Sequence, residues 1–267
     1  MSDFYALYDA LADSVRSAEP AASVNFAERW AMAETAEGLG LAMATPGDSI
    51  APRFPGGLAG LPLREAAKAV SSWNLTEASC ARAAANAFFN TGARMEALGS
   101  FEPYENYSTA GIDLRGRTVG LIGHLHGPKG LREQARAVYT IERSPQPGDY
   151  PDAACDALLP RCDLVIITGS ALVNKTLPHL LELCKDAFTI LTGPSVPMCP
   201  ALLDFGIDRL AGLVVTERGG MADYVRENRR GNPYGFGQSE RAASSPITVQ
   251  LGCSCRIDAG TRGVTGP

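Results

Sequence analysis

His124 and His126 are two of three histidines in the chain, and they stand two residues apart in Gly120-Leu121-Ile122-Gly123-His124-Leu125-His126-Gly127. Imidazole nitrogen is a preferred donor to borderline transition metals, and carboxylate oxygens complete such sites. Glu142, Asp149 and Asp152 are the nearest carboxylates if the strands that carry them are neighbours. The metal set read from these residues is His124, His126 and Glu142, with the identity of the ion unspecified. In the plainer alternative one histidine fixes its own loop by a hydrogen bond and the other faces solvent. Both readings stay open at this stage.

The same loop has a second chemical reading. Gly120 and Gly123 follow a strand, and Glu142 lies 19 residues after Gly123, where a ribose-binding carboxylate stands in dinucleotide folds. That pattern suits an enzyme using NAD(P) or S-adenosylmethionine. The glycine spacing is not GxGxxG, however, and the same turn serves sheets that bind no nucleotide.

Other polar groups gather at predicted strand ends. Asp149 lies in Ser144-Pro145-Gln146-Pro147-Gly148-Asp149-Tyr150-Pro151-Asp152, where three prolines stiffen the backbone. A carboxylate held that way either waits for a ligand or bonds nearby amides; Asp152 suits the N-cap of the next helix. Thr168-Gly169-Ser170-Ala171-Leu172-Val173-Asn174-Lys175-Thr176 brings hydroxyls, an amide and helix-start N–H groups to one crossing. Ser195 sits in a similar loop, Thr192-Gly193-Pro194-Ser195-Val196-Pro197. Ser170 is not in a G-x-S-x-G elbow, which speaks against nucleophilic hydrolysis, and no residue is assigned a catalytic role. His124, Glu142, Asp149, Thr168, Asn174 and Ser195 form the expected ligand-binding set, because all six fall in loops at strand carboxyl ends.

The elements that must position these groups are an alternation of short strands and helices from Arg117 onward. Leu164-Val165-Ile166-Ile167, between Asp163 and Thr168-Gly169, has the unbroken apolar character of a strand covered on both faces. Strands are predicted over 118–122, 139–142, 164–168, 187–191 and 213–216. Helices are predicted over 131–138, 152–159, 176–185, 200–205 and 220–228. This is a doubly wound, Rossmann-like parallel sheet. Before it, helical periodicity covers 3–18, and a hairpin pairs 28–35 with 40–45. A Pro/Gly loop fills 46–61, a helix opens at Pro62, and Asn74-Leu75-Thr76-Glu77 has the form of a capping box for a long Ala-rich helix that stops at Thr91-Gly92. The expected organisation is an α+β domain over 1–105, a Rossmann-like domain over 112–235 and a loosely ordered tail over 236–267, with a linker at 100–110.

Composition narrows the partners. A net charge of −5 with no Lys/Arg cluster argues against nucleic acid. No apolar run nears the ~20 residues of a membrane span, and the first residues, MSDFYALYDA, lack the form of a signal peptide. Seven scattered cysteines fit reduced thiols in a cytoplasmic protein; Cys253 and Cys255 have no second pair to close a zinc site. A small-molecule or metal-chelate ligand is the expected partner, and a homo-oligomer is compatible with the sequence.

Glu142-Arg143-Ser144-Pro145, Gly148-Asp149-Tyr150-Pro151-Asp152, Ile167-Thr168-Gly169, Leu172-Val173-Asn174-Lys175-Thr176, Gly193-Pro194-Ser195 and Phe205-Gly206 resemble, in that order, the putative heavy-metal chelation family. Gly38-Leu39-Gly40, Leu61-Pro62-Leu63, Trp73-Asn74 and Ala85-Asn86-Ala87 look like its N-terminal companion domain. The resemblance covers residues 1–228. It implies an enolase-N-terminal-like fold ahead of the Rossmann-like domain, a ligand site in the cleft between them, and heavy-metal chelation as the role.

Overall fold

A computed structural model describes residues 4–98, 102–103, 109, 111–125 and 127–243. The first helix, α1 (Ala6–Ser14), buries Leu7, Tyr8, Leu11 and Ala12 on one face, as the apolar spacing requires, over a shorter span than expected. Three antiparallel strands follow, β1 (Ser23–Phe26), β2 (Trp30–Glu34) and β3 (Leu39–Met43). β2 and β3 are the predicted hairpin. β1 is half exposed and carries no period-two pattern, so the sequence does not announce it. Residues 46–61 contain no helix or strand. Pro62 starts α2 (Leu63–Ala66), which tightens into a 3-10 turn over Ala67–Ser71 and so stops short of Trp73.

The next helix, α3 (Leu75–Phe89), starts on the predicted cap: Glu77 N donates to Asn74 Oδ1 at 2.8 Å. The Glu77 carboxylate does not turn back to Asn74. It accepts Arg53 N and Phe54 N at 2.8 and 2.7 Å and so pins the preceding loop. Ala81, Ala83, Ala84, Ala85 and Ala87 are fully buried, and small side chains all round are what let strands approach α3 closely. A Cβ on Gly40 would stand 2.1 Å from Ala87 N and 2.2 Å from Ala83 O, so only glycine fits there. A further helix, α4 (Gly92–Leu98), begins where a stop was expected.

The second sheet holds β4 (Glu102–Pro103), β5 (Thr118–Ile122), β6 (Ala137–Glu142), β7 (Tyr150–Pro151), β8 (Leu164–Thr168), β9 (Phe188–Thr192), β10 (Arg209–Val215) and β11 (Gly237–Ala243), in the order β4-β11-β10-β9-β8-β5-β6-β7. β5 to β10 are parallel, whereas β11 and β4 run antiparallel along one edge. β5 and β8 match their predicted bounds. Three strands go beyond the expected five: β7 within the acidic loop, β4 within the expected linker, and β11 within the expected loose tail. Residues 237–243 are therefore ordered sheet, held by seven paired positions of β10. The remainder of the tail, with Cys253 and Cys255, and most of the linker lie outside the described residues.

Short helices α5 (Leu131–Gln134), α6 (Cys155–Leu158), α7 (Ser170–Val173), α8 (Leu177–Leu183) and α9 (Arg218–Arg226) fill the crossovers. Val165, Ile166, Ile167, Ile190 and Leu191 are fully buried. Each such side chain contributes about 1.5–3 kcal/mol relative to exposure. One apolar cluster runs without a break from Leu7 and Leu11 through the alanines of α3 to Val165, Ile167 and Leu191. No helix among the described residues is long and apolar enough to cross a membrane.

Candidate functional site

Strand order reverses between β5 and β8, so the loops leaving these strands diverge and open a crevice at their carboxyl ends. Gly123 leaves β5 with φ +102°. A Cβ there would meet Thr168 Cγ2 at 3.0 Å, which sets the turn directly beside the end of β8. His124 comes next. Its backbone N–H donates to Glu142 Oε2 at 2.9 Å, across the parallel β5–β6 pair.

Glu142 ends β6, and turn amides hold its carboxylate in place. Oε1 accepts Arg143 N at 2.7 Å and Ser144 N at 3.4 Å, in addition to the His124 amide on Oε2. The glycine spacing is not that of a dinucleotide loop, and a nucleotide cofactor is not favoured at this turn.

Asp149 approaches from the opposite direction. The turn from Gln146 to Asp149 closes through Asp149 N to Gln146 O at 2.9 Å, while Asp149 Oδ2 accepts Gln146 N at 3.0 Å. The same oxygen lies 2.8 Å from His124 Nε2. These two contacts, the Gln146 amide first and the imidazole second, hold the Asp149 carboxyl below the ordinary aspartate range. His124 Nδ1 faces Glu142 Oε2 at 3.7 Å. The imidazole is thus flanked by a carboxylate on each ring nitrogen, with the His124, Glu142 and Asp149 side chains 40%, 20% and 14% exposed. With Nε2–H donating to Asp149, the Nδ1 lone pair points toward Glu142 and solvent.

The other expected residues have nearer partners. Thr168 Oγ1 lies 3.4 Å from both Ser170 Oγ and Ser170 N. Asn174 Oδ1 accepts Thr176 N at 3.1 Å and Thr176 Oγ1 at 2.7 Å, a local tie at the start of α8. Ser195 is buried, and its Oγ accepts Met43 N at 2.7 Å, joining the loop after β9 to the end of β3. Asp152 opens a 3-10 turn whose cap position is Pro151, with no side-chain cap bond. His126 lies outside the described residues. The sheet therefore brings His124, Glu142, Asp149 and Thr168 to one region, and it uses Asn174 and Ser195 to fasten backbone.

The sequence reading leaves out the groups that join the two sheets. Asn86 Nδ2 donates to Leu41 O of β3 at 2.6 Å and to Pro194 O of the loop after β9 at 3.3 Å. Asn90 Nδ2 donates to Val196 O at 2.9 Å and Leu213 O at 3.1 Å, and its Oδ1 accepts Met198 N at 2.9 Å. Ser170 Oγ meets the half-exposed Met43 at Sδ, 3.5 Å away. The available signal was polar residues four apart, 82, 86 and 90, in an otherwise Ala-rich helix.

Among the described residues no group of three or more His, Cys, Asp or Glu side chains is arranged to hold a metal ion. The donor types at His124 and Glu142 nevertheless fit a borderline divalent ion. Two donors each about 2.1 Å from one ion stand no more than about 4.2 Å apart, and the Nδ1 to Oε2 separation is 3.7 Å. Asp149 on Nε2 stands where an outer carboxylate fixes ring and tautomer in histidines that bind metal through the other nitrogen.

Residues 111–241 match the family model DUF364 and residues 8–89 match DUF4213, both described as "Putative heavy-metal chelation". A solved structure of a DUF364-family protein of unknown function from Desulfitobacterium hafniense is 30% identical, with a TM-score of 0.79 over 90% of this chain and 98% of that one. Another from Pyrococcus horikoshii, at 19% identity and TM-score 0.72 over 90% of this chain and 99% of that one, shares the fold. An uncharacterized protein of Methanocaldococcus jannaschii is 38% identical over 85 residues, which span 30% of this chain and 33% of that protein.

Proposed function

This chain belongs to the DUF364 putative heavy-metal chelation family, and from that premise we propose that it binds a divalent transition-metal ion, or a small ligand carrying one, at the carboxyl rim of the larger sheet. The observation that carries the reading is the imidazole of His124 held between two carboxylates, at 2.8 Å from Asp149 and 3.7 Å from Glu142. His124 Nδ1 and Glu142 Oε2 are the donors, and Asp149 orients the ring. His126, two residues on in the sequence, is the additional nitrogen that this reading names. A bound ion would supply a fixed positive charge and a Lewis-acidic centre at the crevice.

Thr168 faces Gly123 with its methyl group, and its hydroxyl lies 3.4 Å from that of Ser170 on the same crossing. An organic ligand would find its polar contacts at that pair of hydroxyls. The half-exposed Met43 of β3, which touches Ser170, supports a site bounded on one side by the N-terminal unit.

The test is titration of tag-free protein with Co²⁺ and Zn²⁺, followed by calorimetry and by the visible spectrum of the cobalt form. One ion per chain is expected, with loss of binding in His124→Ala. Asp149→Asn, which keeps the shape but weakens the orienting bond, lowers affinity by about 10–100-fold. Absence of binding above background in the native protein, or equal affinity in His124→Ala, overturns the proposal.

A further inference from the structure

Arg82 of α3 is 1% exposed, and neither Nε nor Nη1 has a hydrogen-bond partner. Tyr8 of α1 is fully buried, and its hydroxyl also lacks a partner. Lys175, 5% exposed, reaches the same region from the crossing after β8. Its Nζ lies 4.8 Å from the centroid of the Tyr8 ring and donates to Val70 O at 2.6 Å. The backbone at Lys175 is left-handed, φ +67°, a conformation that a lysine adopts only where the surroundings hold it.

Two basic side chains therefore share one buried region. The ionisable groups acting on Arg82 are Tyr8 and Cys199, and the one acting on Lys175 is Arg82; no carboxylate is among them. Burial of like charges without a counter-charge is strongly unfavourable, and burial of unpaired donors adds to it. Burial accordingly lowers the Lys175 amine to about 7. The unpartnered atoms are an Nε–H, an Nη1–H and a phenol O–H, each able to donate, and the lysine offers further N–H bonds. A water molecule would accept some of these bonds but would neutralise nothing.

We propose that Tyr8, Arg82 and Lys175 together hold one small monoanion, a halide or a carboxylate. The occupant is small because all three residues are buried, with Tyr8 inside the apolar cluster that also holds Leu11 and Leu202. It is separate from the His124 rim. It links α1, α3 and the crossing after β8 through a shared ion, so it acts as an internal staple between the N-terminal unit and the larger sheet.

The experiment uses the full chain. Melting temperature is measured against increasing bromide, formate and gluconate at constant ionic strength, and a crystal grown in bromide is examined for anomalous density. Saturable stabilisation by bromide or formate, with gluconate inactive, is expected, together with density in hydrogen-bonding reach of Arg82. A bromide peak with the lower saturation point assigns a halide; saturation first with formate assigns a carboxylate. Lys175→Met weakens the anion dependence at least about tenfold, the loss expected from one charge-assisted bond. Equal behaviour in all three salts overturns the proposal, and so does density unaccompanied by anion-specific stabilisation. If Lys175→Met does not fold, the titration of the native protein still decides.

Discussion

Gly40 has room for a hydrogen atom alone, since its Cβ position is filled by backbone atoms of Ala83 and Ala87. Gly40→Ala must push β3 off α3, and about 2 kcal/mol or more of destabilisation is expected. A fall in the urea midpoint at unchanged slope measures it. At this scale the sequence separates residue type from residue duty poorly. Asn174 and Ser195 are hydroxyl or amide groups at strand ends, which a ligand site also needs, yet each already satisfies neighbouring backbone. Such partners are set by three-dimensional proximity, Met43 to Ser195 above all, and no local pattern announces a bond across that many residues. Asp149 was legible only as two alternatives, and its oxygen fulfils one while facing the other: it accepts the Gln146 amide and also meets His124.

Among the elements, α3 is the best specified by sequence. Its cap residue, its alanines and its end follow from propensity and spacing, and Asn74→Ala should cost about 1 kcal/mol in thermal unfolding. β5 and β8 were equally legible, because strands covered on both faces are runs of β-branched and aliphatic residues between polar stops. β4, β7 and β11 were not. β4 and β7 are two residues long, and β11 is Gly237-Gln238-Ser239-Glu240-Arg241-Ala242-Ala243, whose polar composition suits an outer strand and reads as loop. The sheet recruits β11 through β10, β4 through β11 and β7 through β6, pairings that supply hydrogen bonds the local sequence cannot. Likewise the helices predicted over 152–159 and 200–205 are broken by or built from 3-10 turns, where Pro160 and Pro200 limit the backbone bonds.

For the molecule as a whole, the contacts of α3 with the loop after β9 decide how independent the two sheets are. Asn90 makes three buried bonds to Val196, Met198 and Leu213, so Asn90→Ala should cost about 3 kcal/mol and lower a single shared unfolding transition in urea. Lys175 gives a pH signature. Its folded value of about 7 lies below the ordinary lysine 10.5, so between those limits the unfolded chain binds more protons. Stability therefore rises with pH from about 7 toward 10.5 in buffer without small anions, and is flat below that window as far as this group is concerned. The groups facing it are Tyr8 and Arg82, and Lys175→Met should remove the rise in melting temperature measured across this range. The antiparallel edge carries a consequence for biosynthesis. β10 is complete at Val215, but its outer partner ends at Ala243, 28 positions later. A nascent chain emerging from the ribosome must leave a row of peptide groups bare during that interval, and a chaperone or a neighbouring polysome could seize it. A gene shortened to stop after Phe236 would make the delay permanent, and its product is expected to elute as aggregates on gel filtration where the full-length product elutes as a discrete species.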